Sequence, residues 1–252
     1  MTNKQMIQWK RISVEAAAIV ASILLAFAID AWWAEQAEER DEHESLALIH
    51  RDLLEAEDQL SNYVAYAKSA SESGINAYVA LSRPGPYDRE FIKTELLRVD
   101  RRTVRIPRAA YQDLLSTGNL RIIEERQLRD SIIRFYELME RTELIIRTSN
   151  ESILDGLVVD IYYGEGLLLP VISNDVGQET VNAANKSIFE KLPADVRAMQ
   201  DPLWQLDSDS REWQRLRAAV LYAATVHSIG AELAGDLLNR ASLLADAINS
   251  AP

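Results

Sequence analysis

The chain is 252 residues long, 48% hydrophobic and 26% charged, with a formal net charge of -12 and no cysteine. That acidity argues against a nucleic-acid binder, which needs a basic stripe, and against broad attraction to anionic lipid; the missing thiols exclude disulfide staples, thiolate catalysis and Cys-type zinc sites. With 9 glycines and 7 prolines there is room for long helices, and the abundant leucine, alanine, glutamate and arginine supply them, so the expected fold class is all-α.

Residues 1–12 form a short polar tail. From Ser13 to Trp33 the chain reads SVEAAAIVASILLAFAIDAWW, apolar or small without interruption from Ala16 to Ile29. As a helix rising about 1.5 Å per residue it would be about 31 Å long, against a bilayer core of roughly 30 Å. A transmembrane helix in contact with the lipid bilayer is therefore expected at 13–33. The apolar core is also the length of a signal-peptide h-region, with Ala26-Phe27-Ala28 as an A-x-A cleavage pattern, or of a buried soluble helix. Against cleavage, Asp30, Trp32 and Trp33 follow at once and the helical pattern continues. Tryptophan suits the headgroup level, where its ring is buried and its N–H still meets water.

Flanking charge sets an orientation. Lys4, Lys10 and Arg11 precede the span, whereas Glu35, Glu38, Glu39, Asp41, Glu42 and Glu44 follow it against Arg40 alone. The positive-inside rule places the N-terminus in the cytoplasm and 34–252 on the far side, which in a bacterium is the periplasmic side of the inner membrane. Along the span, Glu15, Ala18, Ser22, Ala26, Asp30 and Trp33 recur at helical spacing. Ala18, Ser22 and Ala26 would let a second copy or a membrane-protein partner approach closely. Equally, alanine is scattered all round this helix, and both carboxylates reach water at its rims.

Residues 34–44 suit a solvated extension of the same helix. Leu46, Ile49, Leu53, Ala56, Leu60, Tyr63 and Ala67 then follow at 3-4 spacing, the pattern of a bundle helix or coiled coil. Span and bundle helix are expected to form one rod from about Val14 to Ser69. Ser71-Glu72-Ser73-Gly74 suggests a kink or break, Ile75 to Leu81 a short separate helical piece, and Ser82-Arg83-Pro84-Gly85-Pro86 a loop. Asp88 is placed to cap a helix carrying Phe91, Ile92, Leu96 and Leu97. Arg101, Arg102 and Arg105 make the one locally basic run, either a solvated loop pairing with the acidic surface or an anion or headgroup site.

Pro107 opens a helix expected to reach Leu115, with Gly118 as its left-handed C-terminal glycine and Asn119 supporting the turn. Leu120, Ile122 and Ile123 would plug the corner before a second helix bearing Leu128, Ile132, Phe135, Met139, Thr142 and Ile146. This elbow lacks the basic face of a DNA reader, since Glu124, Glu125 and Asp130 sit there instead. The motif ILLAFAIDAWW (Ile23 to Trp33), the charged helix after it, and AYQDLLSTGNLRIIEERQLRDSIIRFYE (Ala110 to Glu137) together resemble a family of uncharacterised bacterial single-pass membrane proteins. The resemblance implies a short tail, a membrane helix ending in tryptophan, and a helical extracytoplasmic region with a Ser/Thr-Gly-Asn elbow. It implies no catalytic residue. The region after Leu157 matches that pattern only loosely.

Val158 to Tyr163 suggests a brief extended segment, and the run Leu167 to Ile172 a plug over the core or an exposed contact. Pro193 and Pro202 limit 177–206 to short helices, with Trp204 and Leu206 as anchors. Ser208 or Ser210 caps a last helix to about Asn249, along which Trp213, Leu216, Val220, Ala223, His227, Gly230, Ala234, Leu237, Ala241, Leu244 and Ile248 keep 3-4 spacing. Glycine at 230 costs about 0.5–1 kcal/mol against alanine, which implies a close neighbour or a bend. The natural mate of this helix is the first rod.

His43, His50 and His227 lack metal-ligand spacing, and no phosphate-binding glycine loop or nucleophile elbow occurs. Site residues, metal and cofactor are accordingly expected to be absent, and an enzyme is not indicated. The function expected is a membrane-anchored structural or protein-interaction module with domains 1–12, 13–33 and 34–252. The alternative is an extracytoplasmic ligand-sensing module acting through a membrane partner, told apart by a concave pocket with converging polar groups.

Overall fold

The computed structural model describes residues 3–151, 191 and 202–250, and all regular structure among them is helical. Five α-helices are described: α1 (Asn3–Ser82), α2 (Arg89–Leu97), α3 (Ala109–Thr117), α4 (Arg126–Ser149) and α5 (Arg211–Asn249). Short 3₁₀ turns at Asn119–Ile122 and Pro202–Gln205 lie between them. The expected features at 158–163 and 167–172, and those at 177–201 apart from the helical residue 191, lie outside the described residues.

The 80 residues of α1 are unbroken and at about 1.5 Å each extend roughly 120 Å. The expected rod ends were too conservative at both sides, and of the expected kink or break at 71–74 the break does not occur. Those small residues are contact points on α5. Ser71 is buried and its hydroxyl donates to the Ala224 carbonyl at 2.9 Å, and a Cβ on Gly74 would come within 2.8 Å of the Ala224 Cβ. A stretch that looks like a breaker in isolation is held helical by the helix it touches. Residues 75–81 therefore continue α1 and are not a separate piece. Pro84 and Pro86, which have no N–H to offer a helix, lie just beyond its end.

The side chains of α1 change character along its length. In 13–33 they are exposed all round, with Val14 at 69%, Phe27 at 67% and Trp33 at 63% relative exposure. From Leu46 onward one face closes: Leu46, Ile49, Leu53, Ala56, Leu60, Tyr63 and Ala67 are all buried, in agreement with the 3-4 line. The partner of this face is α5, whose own line from Trp213 to Ile248 is buried at each expected position. Gly74 meets Ala224, and Tyr63, nearer the start of α1, meets Gly230 farther along α5, so the two run antiparallel.

The elbow has the expected form with shifted ends. α3 runs on to Thr117, and Gly118 terminates it in the left-handed region at φ 73°. Its 3₁₀ turn leads through the fully buried Ile123 into α4, which begins at Arg126 and buries Leu128, Ile132, Phe135, Met139, Thr142 and Ile146 against α1 and α5. Asp88 caps α2 by accepting from Phe91 N at 3.0 Å, and Ser210 caps α5 by accepting from Trp213 N at 3.4 Å. At the far end of α1 a second core gathers Ala77, Leu81, Ile92, Leu96, Leu216 and Val220 around Trp213. Tyr87 stacks on Trp213 at 5.0 Å and Trp204 meets it edge-on at 5.2 Å. Leu206, expected as a second anchor, is 44% exposed; it lies past the end of the 3₁₀ turn, whose Trp204 packs against the core.

Two substitutions test this seam. Gly74→Val drives two methyls into Ala224 and is expected to destabilise the fold by about 1–3 kcal/mol. No atom of the described residues lies within 4 Å of where a Cβ on Gly235 would stand, so Gly235→Ala is expected to stabilise by about 0.5–1 kcal/mol through helix propensity. Denaturant unfolding followed by circular dichroism at 222 nm reads both.

Candidate functional site

Two regions have the character of a working surface: the bare apolar length of α1, and a polar seam where the 98–108 loop crosses the bundle.

In the apolar length, the Ser22 hydroxyl donates to the Ala18 carbonyl one turn back at 2.8 Å, leaving no unsatisfied hydroxyl proton on the small-residue stripe. Arg11 pairs with Glu15 at 3.1 Å at the start, and Trp32 and Trp33 pack edge-on at 5.2 Å at the end. The helix is long and apolar enough to cross a membrane.

The polar seam is built by main-chain groups that find side-chain partners, because the loop between α2 and α3 has no helix or sheet of its own to satisfy them. The Tyr66 hydroxyl lies 2.6 Å from the Asp100 carbonyl and 2.7 Å from its carboxylate. Asn150, buried at the end of α4, donates to the Arg102 carbonyl at 2.9 Å. Ile106 N donates to the Glu143 carboxylate at 2.8 Å, and Arg108 forms an ion pair with Glu143. Asp52, buried on α1, accepts from Ala110 N at 3.0 Å and so caps α3 from another helix, since Arg108 at its own N-cap position supplies no side-chain cap. Glu42 of α1 accepts from Glu124 N at 2.9 Å. The elbow is thus clamped to α1 at both ends by carboxylates about 15 Å apart along the helix.

His227 of α5 is buried edge-on to Tyr66 at 5.8 Å, and its Nε2 has no hydrogen-bond partner among the described residues. Burial lowers its pKa from 6.5 to about 4, a hydrogen bond to the Asp100 main chain opposing that only in part. Burial likewise raises the Tyr63 phenol to about 12, and raises Tyr66, where the Asp100 carboxylate adds to the effect. Both tyrosines remain neutral hydroxyls.

Two hollows open beside these groups, with Tyr63 in the wall of each. One, of about 520 Å³, is lined by Gln59, Asn62, Tyr63, Arg102 and Arg105 among others. The second, of about 260 Å³, is lined by His227, Asn150, Ile146, Ile229 and Gly230 beside the same tyrosine. Gly230 is where the Tyr63 hydroxyl fits, 2.8 Å from where a Cβ would stand. A close neighbour, the first of the two reasons weighed for that glycine, accounts for it.

Among the described residues no group of three or more His, Asp or Glu side chains is placed to hold a metal ion. His43 is exposed on α1, His50 half-buried, and His227 buried on α5. Sequence reasoning did not single out the clamps: in so acidic a chain Asp52 and Glu42 look like any other carboxylates. The one available signal was that Asp52 sits between Ile49 and Leu53 on the buried line. No family model, curated protein or solved structure matches the chain.

Removing the Asp52 clamp leaves the Ala110 N–H without its acceptor, so Asp52→Ala is expected to destabilise by about 1–3 kcal/mol in denaturant unfolding. His227 gives a pH signature. Its folded pKa lies below the unfolded one, so the stability from keeping it neutral is complete above about pH 6.5 and is lost as pH falls toward 4. The full loss is about 3 kcal/mol. Compared with wild type, His227→Leu should lack that portion of the acid loss; parallel stability profiles between pH 7 and 4 would contradict the assignment.

Proposed function

We propose that this is a single-pass membrane protein of the bacterial inner membrane, with its N-terminus in the cytoplasm and a helical extracytoplasmic bundle that serves as a structural or protein-interaction module. The observation that carries the reading is the pairing of two surfaces on one helix. Residues 13–33 of α1 expose Val14, Ile19, Leu24, Leu25 and Phe27 at more than half their area, while residues 46–81 of the same helix form a wall of the folded core. Apolar exposure of that extent in water favours aggregation, and a bilayer removes it. The length of about 31 Å, the tryptophan pair at one rim and the basic residues before the other fit a single crossing.

The bundle beyond the span is read as an interaction module because several of its buried polar groups are spent on architecture. Asp52, Glu143 and Asn150 hold main-chain groups of the loop and elbow, which gives a rigid body suited to presenting a surface. The resemblance to single-pass membrane proteins with a helical extracytoplasmic region points the same way. The polar hollow beside Arg102 and Arg105 favours the sensing alternative as a second reading.

Alkaline phosphatase fused after residue 250 should be active and a green fluorescent protein fusion at the same point dark. The membrane-fraction protein should keep the full mass of the chain. A fluorescent C-terminal fusion would overturn the orientation, and a product cut after Ala28 would replace the anchor with a signal peptide.

A further inference from the structure

We infer that the hollow between α1 and the 98–108 loop is a binding site for a small soluble dicarboxylate, held by Arg102 and Arg105. Three arginines in a run are weak evidence in a sequence, because an unordered loop offers no cradle. The structure supplies the cradle. The loop backbone is tied to the bundle at Asp100 by Tyr66, at Arg102 by Asn150, and at Ile106 by Glu143.

The charges around the loop are divided unevenly. Arg98 is paired with Glu95 at 3.0 Å and Arg108 with Glu143, so the outer guanidinium groups are neutralised. Between them, Arg102 lies over the Tyr66 ring at 5.3 Å, a contact that positions its plane without cancelling its charge, and Arg105 forms no ion pair among the described residues. Both line the hollow of about 520 Å³, a volume within the range of small-molecule sites. Opposite them, Gln59, Asn62 and Tyr63 project from one face of α1 at i, i+3 and i+4. Each amide gives one N–H to an acid on its own helix, Gln59 to Glu55 and Asn62 to Asp58, both at 3.2 Å, and keeps a second.

A guanidinium fork matches a carboxylate in a bidentate manner. Residues three apart in a non-helical stretch have Cα atoms up to about 10 Å apart, so two separate anionic groups fit this pair better than one compact phosphate. The height of the site excludes lipid headgroups as the source. Tyr63 lies thirty residues beyond Trp33, about 45 Å along α1. That exclusion of lipid alone rests on the proposed membrane reading; binding of the anion does not.

Titration calorimetry on the full chain in detergent tests the site with succinate, acetate and inorganic phosphate. Saturable succinate binding at least tenfold tighter than acetate and phosphate is expected. Arg102→Gln and Arg105→Gln should each weaken it at least tenfold, while Arg83→Gln, in the loop that follows α1, leaves it unchanged. Arg105 is exposed and its replacement does not threaten folding, so this variant decides the matter even if Arg102→Gln unfolds. Absence of saturable succinate binding, equal affinity for phosphate, or unchanged affinity in Arg105→Gln would overturn the proposal. In nanodiscs, the same affinity with zwitterionic and anionic lipid supports a soluble ligand, and competition by anionic lipid overturns it. Succinate binding that persists when the reporter fusions reverse would leave the site standing and remove the membrane orientation instead.

Discussion

The bundle depends on how closely α1 and α5 can approach. Their shared seam is rich in alanine, with Ala56, Ala67, Ala70 and Ala77 on one side and Ala223, Ala224, Ala231, Ala234 and Ala241 on the other, all buried. Small side chains bring the backbones near enough for dispersion contacts to accumulate and for Ser71 to reach a carbonyl of the facing helix. Larger residues enter where the helices diverge or a third element fills in. Leu53, Leu60 and Leu237 meet Ile132 and Met139 of α4 in the main core, and Trp213 meets α2 and Tyr87 at the far end. Glycine appears at the tightest crossings, Gly74 against a methyl and Gly230 against a phenol. Their poor helix propensity is offset by contacts that any side chain would block.

The second principle is electrostatic and local. A chain of net charge -12 gains little from general attraction between its surfaces, yet its acids have well-defined uses where the backbone is irregular. Asp52, Glu42 and Glu143 each accept a main-chain N–H that no helix supplies with a partner. A carboxylate acceptor strengthens such a bond relative to a neutral one. These acids fix the loop and the elbow to the helical pair, and the arginines between the ties inherit an ordered position as a by-product. Scaffold and candidate site are therefore made by the same bonds.

Periodicity made the long helices legible from sequence, because burying one face of a helix forces apolar residues to recur every three or four positions. The two lines from Leu46 to Ala67 and from Trp213 to Ile248 are buried throughout. Caps were legible for an equally local reason: Asp88, Gly118 and Ser210 act on groups within a turn of themselves. What could not be read is what depends on a distant partner. The run at 71–74 looks like a break because its justification lies at Ala224. Asp52 looks like surface because the N–H it serves belongs to residue 110. The cradle around Arg102 depends on Asn150, a residue with nothing in its own neighbourhood to mark it.

The absence of a joint in α1 has a mechanical consequence. On the proposed reading, in which residues 13–33 sit in a bilayer, the helix beyond Trp33 would be a lever about 74 Å long whose short arm lies among lipid tails. Transmembrane helices tilt by about 20° on average in response to bilayer thickness and neighbours. Over that arm, such a tilt carries the far tip sideways by roughly 25 Å. A change in lipid packing, or a partner gripping the short arm, would sweep the bundle through that distance, with no side chain in the bundle needing to rearrange.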